Sequence, residues 1–298
     1  MPTLAADLRV DSMRTEYFKD PFSRAAAVLG KHEDAMHFSN LFVEIKRAFN
    51  HRFVLADGTV STGTQTAYVL SLDFDLLPPD IRTAAAAKLA LDAGKHEHLT
   101  TGFLGTPHLL NVLSRFGYHD LAYSLLKREE FPSWLYPVKQ GATTIWERWD
   151  GLKPDGSFQD AGMNSFNHYA YGAVGEWMYE VMGGINIDPE APGYKRVLIR
   201  PQPGGDIQFV NVSHESPYGR VGSHWRIADG SFELNVEIPA NSTASVRLPQ
   251  ATLVEVTESG DKLWQAQGVS RAKQADSSVE FSLGSGNYAF RYPWRPAT

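Results

Sequence analysis

The chain contains no cysteine, which excludes disulfides and thiolate metal ligands but leaves its compartment open. It also has no excess of basic charge: Lys and Arg number 28 against 34 Asp and Glu, for a net charge of -6. Phosphate backbones favour basic patches, so nucleic acid is not an expected partner. No apolar run approaches the roughly 18 residues that a membrane helix needs. The first residues, MPTLAADLRVDSMRTEYF, lack the basic start and apolar core of a secretion signal. These absences lead us to expect a soluble, cytoplasmic protein with neither nucleic acid nor membrane as partner. Gly-rich phosphate loops, a GxSxG elbow and a Walker pattern are missing too, and no cofactor is implied. NSTA at Asn241 matches a glycosylation acceptor in form only, since no signal for secretion accompanies it.

What is present is a chain of 298 residues, 43% hydrophobic and 12% aromatic, enough to bury one large core or two smaller ones. The first 180 or so residues return repeatedly to helical spacing. In FSRAAAVLGKHEDAMHFSNLFVEIKRAFNHRF, Leu41, Ile45, Ala48 and Phe49 share a face, and Gly30 separates two helices. Pro79 and Asp80 open an alanine-rich helix that is expected to stop at Gly94. Thr106 and Pro107 suit the start of another, with a break at Gly117. NSFNHYAYGAVGEWMYEVM reads as a largely buried aromatic helix ending at Gly183 and Gly184. Successive hairpins of this kind would stack as a toroid, although no exact repeat is present.

After Ile187 the period changes to two. In SFELNVEIP, Phe232, Leu234, Val236 and Ile238 share one face, and PGG, ADG and PAN mark turns between short runs. Strands at this spacing predict an antiparallel sandwich. The two halves are expected to divide near 185 to 190, with DPEAPG as linker.

One stretch, GATTIWERWDG from Gly141 to Gly151, fits neither period. It lies in a long connection, Ser133 to Ser165, that holds Trp134, Tyr136, Trp146, Trp149 and Phe158 among Glu147, Asp150, Asp155 and Asp160. Aromatic rings beside carboxylates suit a sugar, whose apolar face stacks while its hydroxyls need polar partners. A packed loop with solvated acids is the alternative at this point. Glu147 is the sharpest candidate, because flanking tryptophans would exclude water and raise a carboxyl pKa toward a useful value. It could equally pair with Arg148. His168 follows at the start of the aromatic helix, as a site residue or as a core histidine beside Tyr169 and Tyr171. The loop HEHLTTGFLGTP has His96, His98 and His108 nearby, but no recognised metal-ligand spacing, and a tight turn is favoured there over a binding role.

Four ordered segments, DGTVSTGTQTAYVLSLDFDLLP, HLTTGFLGTPHLLNVLSRFGYHDLAYSLL, FPSWLYPVKQGATTIWERWDG and MNSFNHYAYGAVGEWMYEVMGGI, resemble the C-terminal part of bacterial α-L-rhamnosidases, glycoside hydrolase family 78. The resemblance runs from about Arg14 to Pro249. It implies the C-terminal portion of a six-hairpin (α/α)6 toroid over 1–186 and an antiparallel β-sandwich over 187–298. It implies inverting hydrolysis of terminal α-L-rhamnosyl groups, with Glu147 in TTIWE as general base and His168 in NHYAYG on the rhamnose hydroxyls. Asn167 in the same motif, Trp146 and Trp149 would complete the substrate contacts, with no metal and no cofactor.

The family's general acid belongs to an acidic motif in the first half of the toroid, which this chain does not contain. About seven or eight helices are legible where twelve would close the ring, and the family's usual N-terminal β-domains are missing. A C-terminal fragment or the product of a truncated gene is therefore expected, with exposed apolar faces calling for the missing half or self-association. Without its acid the chain alone is expected to be weakly active or inactive. The alternatives are a non-catalytic carbohydrate-binding remnant and an assembly partner of a split glycosidase. Another six-hairpin glycosidase is also compatible with the fold.

Overall fold

The computed structural model describes residues 21–295, so the start of the resemblance, 14–20, and the N-terminal stretch MPTLAADLRVDSMRTEYF lie outside the described residues. The described residues form two compact units that divide between Val174 and Gly175. The first is helical and the second is built on β-sheets.

In the helical unit, α1 (Pro21–Val28) and α2 (His32–Phe53) flank Gly30, whose φ of 70° suits glycine at a sharp reversal. Of the 22 residues of α2 only Phe49 is buried; Leu41 and Ile45 are half-covered and Ala48 is exposed. The short helix α3 (Gln65–Asp73) starts where the Thr64 side chain accepts a hydrogen bond from Ala67 N–H, a conventional N-cap. Next, α4 (Pro79–His96) turns Ala85, Ala86, Leu89, Ala90 and Ala93 inward. Small side chains there let the 55–59 turn come close, since a Cβ on Gly58 would lie 3.3 Å from Ala84 Cβ. The helix does not stop at Gly94 as expected: it runs on to His96, and Glu97 takes the left-handed conformation that ends it. The hairpin α5 (Thr106–Arg115) and α6 (His119–Lys127) breaks at Gly117, φ 86°, as the sequence indicates. Pairs α1·α2, α3·α4, α3·α5 and α5·α6 pack side by side.

Following the short α7 (Leu135–Lys139), the chain runs without regular structure until Ala170, apart from a single bridge between Leu152 and Phe158. The expected helix from Asn164 therefore begins six residues late, as a 3-10 turn (Ala170–Ala173), then α8 (Val174–Trp177) and a π turn (Met178–Met182). Side chains explain the delay. Asn164 donates to Gly151 O, the Ser165 hydroxyl accepts from Asn167 N–H, and His168 Nδ1 accepts from Ala170 N–H. Such local bonds compete with a helix for the same backbone groups. Nor is the stretch largely buried, because Tyr169, Met178 and Tyr179 are exposed.

The β unit has a five-stranded sheet in the order β1 (Ile185–Ile187), β2 (Arg196–Ile199), β6 (Thr243–Leu248), β10 (Ser278–Leu283), β9 (Val269–Ala275). Its six-stranded sheet runs in the order β3 (Phe209–Ser216), β4 (Gly219–Ala228), β5 (Ser231–Ile238), β11 (Gly286–Pro293), β7 (Thr257–Glu258), β8 (Asp261–Lys262). Every pairing is antiparallel except β2 (Arg196–Ile199) with β6 (Thr243–Leu248). Alternation in β5 (Ser231–Ile238) puts Phe232, Leu234, Val236 and Ile238 into one buried cluster with Val197, Val246 and Phe281 of the other sheet. DPEAPG is not a linker. It joins β1 (Ile185–Ile187) to β2 within one sheet, and Asp188 is buried there, bound to Arg196 and to Glu190 N–H. Trp225 Nε1 donates to Met182 O at 2.7 Å and Ser223 to Gly183 O at 2.6 Å, tying the π turn to β4 (Gly219–Ala228).

Candidate active site

The irregular run 140–169 closes on itself through a short two-sided ladder. Thr144 Oγ1 donates to Phe166 O, His168 N–H to Ile145 O at 2.8 Å, and Glu147 N–H to Ser165 O at 2.8 Å. Ser165 N–H in turn donates to Glu147 Oε2 at 2.9 Å. Glu147, half-buried, is thereby held at its backbone and at its carboxylate by one residue. An ionised carboxylate only accepts hydrogen bonds, so the amide is a fitting partner that still leaves lone pairs for a water. Among the described residues the carboxylate is bonded to this amide rather than to Arg148.

The tryptophans on either side are packed into the loop. Trp146 is 5% exposed and meets Phe166 edge-on at 5.1 Å; Trp149 is 9% exposed and stacks on Tyr171 at 3.8 Å, with Trp134 against its edge at 5.5 Å. Trp134 Nε1 donates to Tyr171 O at 2.9 Å. These rings are a packed wall behind Glu147 and offer little open face to a sugar. Burial pushes the Tyr171 phenol up, with Arg148 pulling it down and Glu147 pushing it further up, so these groups share one neighbourhood.

Two of the remaining acids, Asp155 and Asp160, are exposed, as the alternative reading had it. Asp155 Oδ1 accepts from Ser157 N–H and Oγ, which holds its carboxyl below the usual range, and Asp160 accepts from Gly162 and Met163 N–H. Both carboxylates cap their own turns. Asn167 is exposed beside His168, and His168 is half-buried.

Phe103 is the residue that sequence reasoning missed. The loop 97–105, taken for a plain turn, brings its ring to 4.9 Å from the His168 imidazole and 5.1 Å from Tyr171. The available signal was an aromatic between Gly102 and Gly105, 42% exposed. The histidines of that region go elsewhere: His108 pairs with Asp73 at 2.7 Å, His96 lies 3.6 Å from Asp92, and His98 donates to Leu99 O. Among the described residues no group of three His, Cys, Asp or Glu side chains could hold a metal ion.

Residues 16–182 match the family model of the bacterial alpha-L-rhamnosidase six-hairpin glycosidase domain, and 184–262 that of the bacterial alpha-L-rhamnosidase C-terminal domain. An alpha-L-rhamnosidase of Streptomyces avermitilis is 44% identical over 284 residues, covering 94% of this chain and 26% of that protein. One from Formosa agariphila is 38% identical over 272 residues, covering 90% of this chain and 29% of its own length. Among solved structures, the Streptomyces avermitilis alpha-L-rhamnosidase complexed with L-rhamnose superposes with a TM-score of 0.83 at 44% identity, over 90% of this chain and 25% of that one. The native enzyme of Aspergillus terreus gives 0.80 at 33% identity, over 92% and 29%. The chain thus spans between a quarter and three-tenths of the length of these relatives.

Proposed function

This chain belongs to the bacterial alpha-L-rhamnosidases, and on that premise we propose that it carries the base side of an inverting glycosidase site for terminal α-L-rhamnosyl groups. The observation that carries the reading is the grip of Ser165 on Glu147, which fixes a half-buried carboxylate in a loop backed by stacked aromatic rings. In this mechanism Glu147 takes a proton from a water as it attacks the anomeric carbon. A carboxylic acid on the opposite face of the sugar, about 6.5–9.5 Å away, protonates the leaving oxygen. His168 and Asn167 bind sugar hydroxyls, and Trp146 and Trp149 keep Glu147 in place rather than stacking on the ring.

Several carboxylates of the helical unit already have partners, which supports an acid supplied from elsewhere. Asp75 is bound to Arg82 and Lys46, Asp73 to His108 and Arg115, and Asp92 to Gln65. The chain alone is then a poor catalyst, and a covering partner supplies the acid. That partner is favoured by α2, where Met36 and Val43 are 64% and 61% exposed on a helix with a single buried residue.

The test is hydrolysis of an aryl α-L-rhamnoside by the chain alone and by the chain joined to an upstream half of a rhamnosidase, with the anomer of the first product read by NMR. Little turnover alone, recovery on joining, and inverted product are expected. Retained configuration, or no recovery in a folded complex, would contradict the assignment.

A further inference from the structure

Phe103 is held by a loop with little freedom to move. Gln65, fully buried, accepts from Thr100 N–H at 2.7 Å and donates to Asp92 Oδ1 at 2.9 Å and to His98 O at 3.3 Å. The Thr101 and Thr106 hydroxyls meet at 2.8 Å. At Gly105 a Cβ would lie 2.9 Å from Thr101 Cγ2 and 3.0 Å from Thr66 Oγ1, so the loop is packed tightly at its far end as well. On this support the Phe103 ring is 42% exposed.

Its partner is His168. The Phe103 ring stacks on the imidazole at 4.9 Å with 20° between planes, and Tyr169 lies nearly parallel to it at 5.5 Å and 5°. Tyr169 is 87% exposed and supports little, so Phe103 is the ring that sets the imidazole plane. Hydrogen bonds to imidazole nitrogens lie in that plane. Nδ1 faces the Ala170 N–H at 3.4 Å, and an amide N–H can only donate, so Nδ1 is the acceptor and the neutral ring carries its proton on Nε2. Among the described residues Nε2 has no hydrogen-bond partner.

We propose that Phe103 is a positioning residue for His168, orienting the imidazole so that Nε2–H is presented as a fixed donor to a hydroxyl oxygen of the bound sugar. This rests on the reading of His168 as a sugar contact. Recognition at this point then selects an acceptor lying in the plane that Phe103 defines, and the loop 97–105 becomes part of the specificity of a site whose other residues come from 144–168.

The experiment compares the wild-type chain with Phe103→Ala, Phe103→Leu and Phe103→Tyr, all checked for folding by thermal melting. Two-bond proton–nitrogen correlations of the 15N-labelled imidazole report which nitrogen carries the proton. A single Nε2–H pattern for His168 is expected in the wild type and in Phe103→Tyr, and averaging of the two tautomers in the Ala and Leu variants. The same samples are titrated with L-rhamnose, for which the Ala variant should bind roughly threefold to tenfold more weakly, the worth of one aromatic contact. An unchanged Nε2–H pattern in Phe103→Ala, or undiminished affinity, overturns the proposal. If the wild type fails to bind L-rhamnose, the reading of the site falls, and the tautomer pattern still decides whether Phe103 orients His168.

Discussion

Glu147 and Ser165 exchange two hydrogen bonds: the Glu147 amide donates to Ser165 O at 2.8 Å, and the Ser165 amide donates to Glu147 Oε2 at 2.9 Å. Both use the Ser165 backbone, so the grip depends on the path of the chain rather than on the serine side chain. Substitutions that shift that path should therefore lower activity without touching the carboxylate.

Gly151→Ala is one such substitution. The added Cβ would lie 3.1 Å from Asn164 Oδ1, 3.1 Å from Phe166 Cε1 and 3.2 Å from Trp146 Cε3, crowding the two strands of the loop apart. A loss of about 1–3 kcal/mol is expected from overpacking. Melting temperature should fall, and so should aryl rhamnoside turnover once the variant is joined to an upstream half of a rhamnosidase.

Trp149→Phe separates a packing role from a sugar platform. Since Trp149 stacks on Tyr171 and is 9% exposed, the smaller ring should lower the melting temperature and, in the chain joined to an upstream half of a rhamnosidase, leave KM within about twofold, the spread of a minor contact. A KM raised with stability intact would place the ring against substrate.

How far the sequence could be read follows from where each signal resides. Alternation in 231–238 and the break at Gly117 are local properties of the chain, and both appear as expected. Gly94 misled because a helix ends where its hydrogen bonds lose partners, and here Glu97 takes on the left-handed conformation instead. The helix expected from Asn164 failed because Asn164, Ser165 and His168 bond to nearby backbone, a competition that periodicity of aromatic residues does not register. The parallel pairing of β2 with β6 was hidden because side-chain alternation carries no information about which strand lies alongside. Phe103 was hidden for the same reason: its contact with His168 joins two loops far apart in the chain. The inward packing of Trp146 and Trp149 was not legible, because it depends on Phe166 and Tyr171 further along the chain.

In the β unit, Gly184 has a φ of 80° and an added Cβ would overlap Pro201 N and Arg200 C. Backbone atoms cannot swing aside, so Gly184→Ala should cost more than the roughly 1–3 kcal/mol of backbone strain alone. Denaturant unfolding should show this as a large drop in midpoint, or as failure to fold.

The buried turn at Asp188 gives a pH dependence. The Arg196 hydrogen bond holds the Asp188 carboxyl below its usual range, so the folded value lies under the unfolded one. Its contribution is therefore complete above the unfolded value, about pH 4, and is lost as pH falls through the lower folded value. Asp188→Asn should unfold more readily at pH 7 and should flatten the dependence of stability on pH below about 4.

The central claim is that Glu147 is the general base. The most direct measurement replaces the matching part of the Streptomyces avermitilis enzyme with this chain and compares the chimera with its Glu147→Gln form on an aryl α-L-rhamnoside. Glutamine retains an oxygen for the Ser165 amide, so the loop should stay folded and bind L-rhamnose, while kcat falls by about 10²–10⁴. Turnover unchanged in the Glu147→Gln chimera would contradict the account.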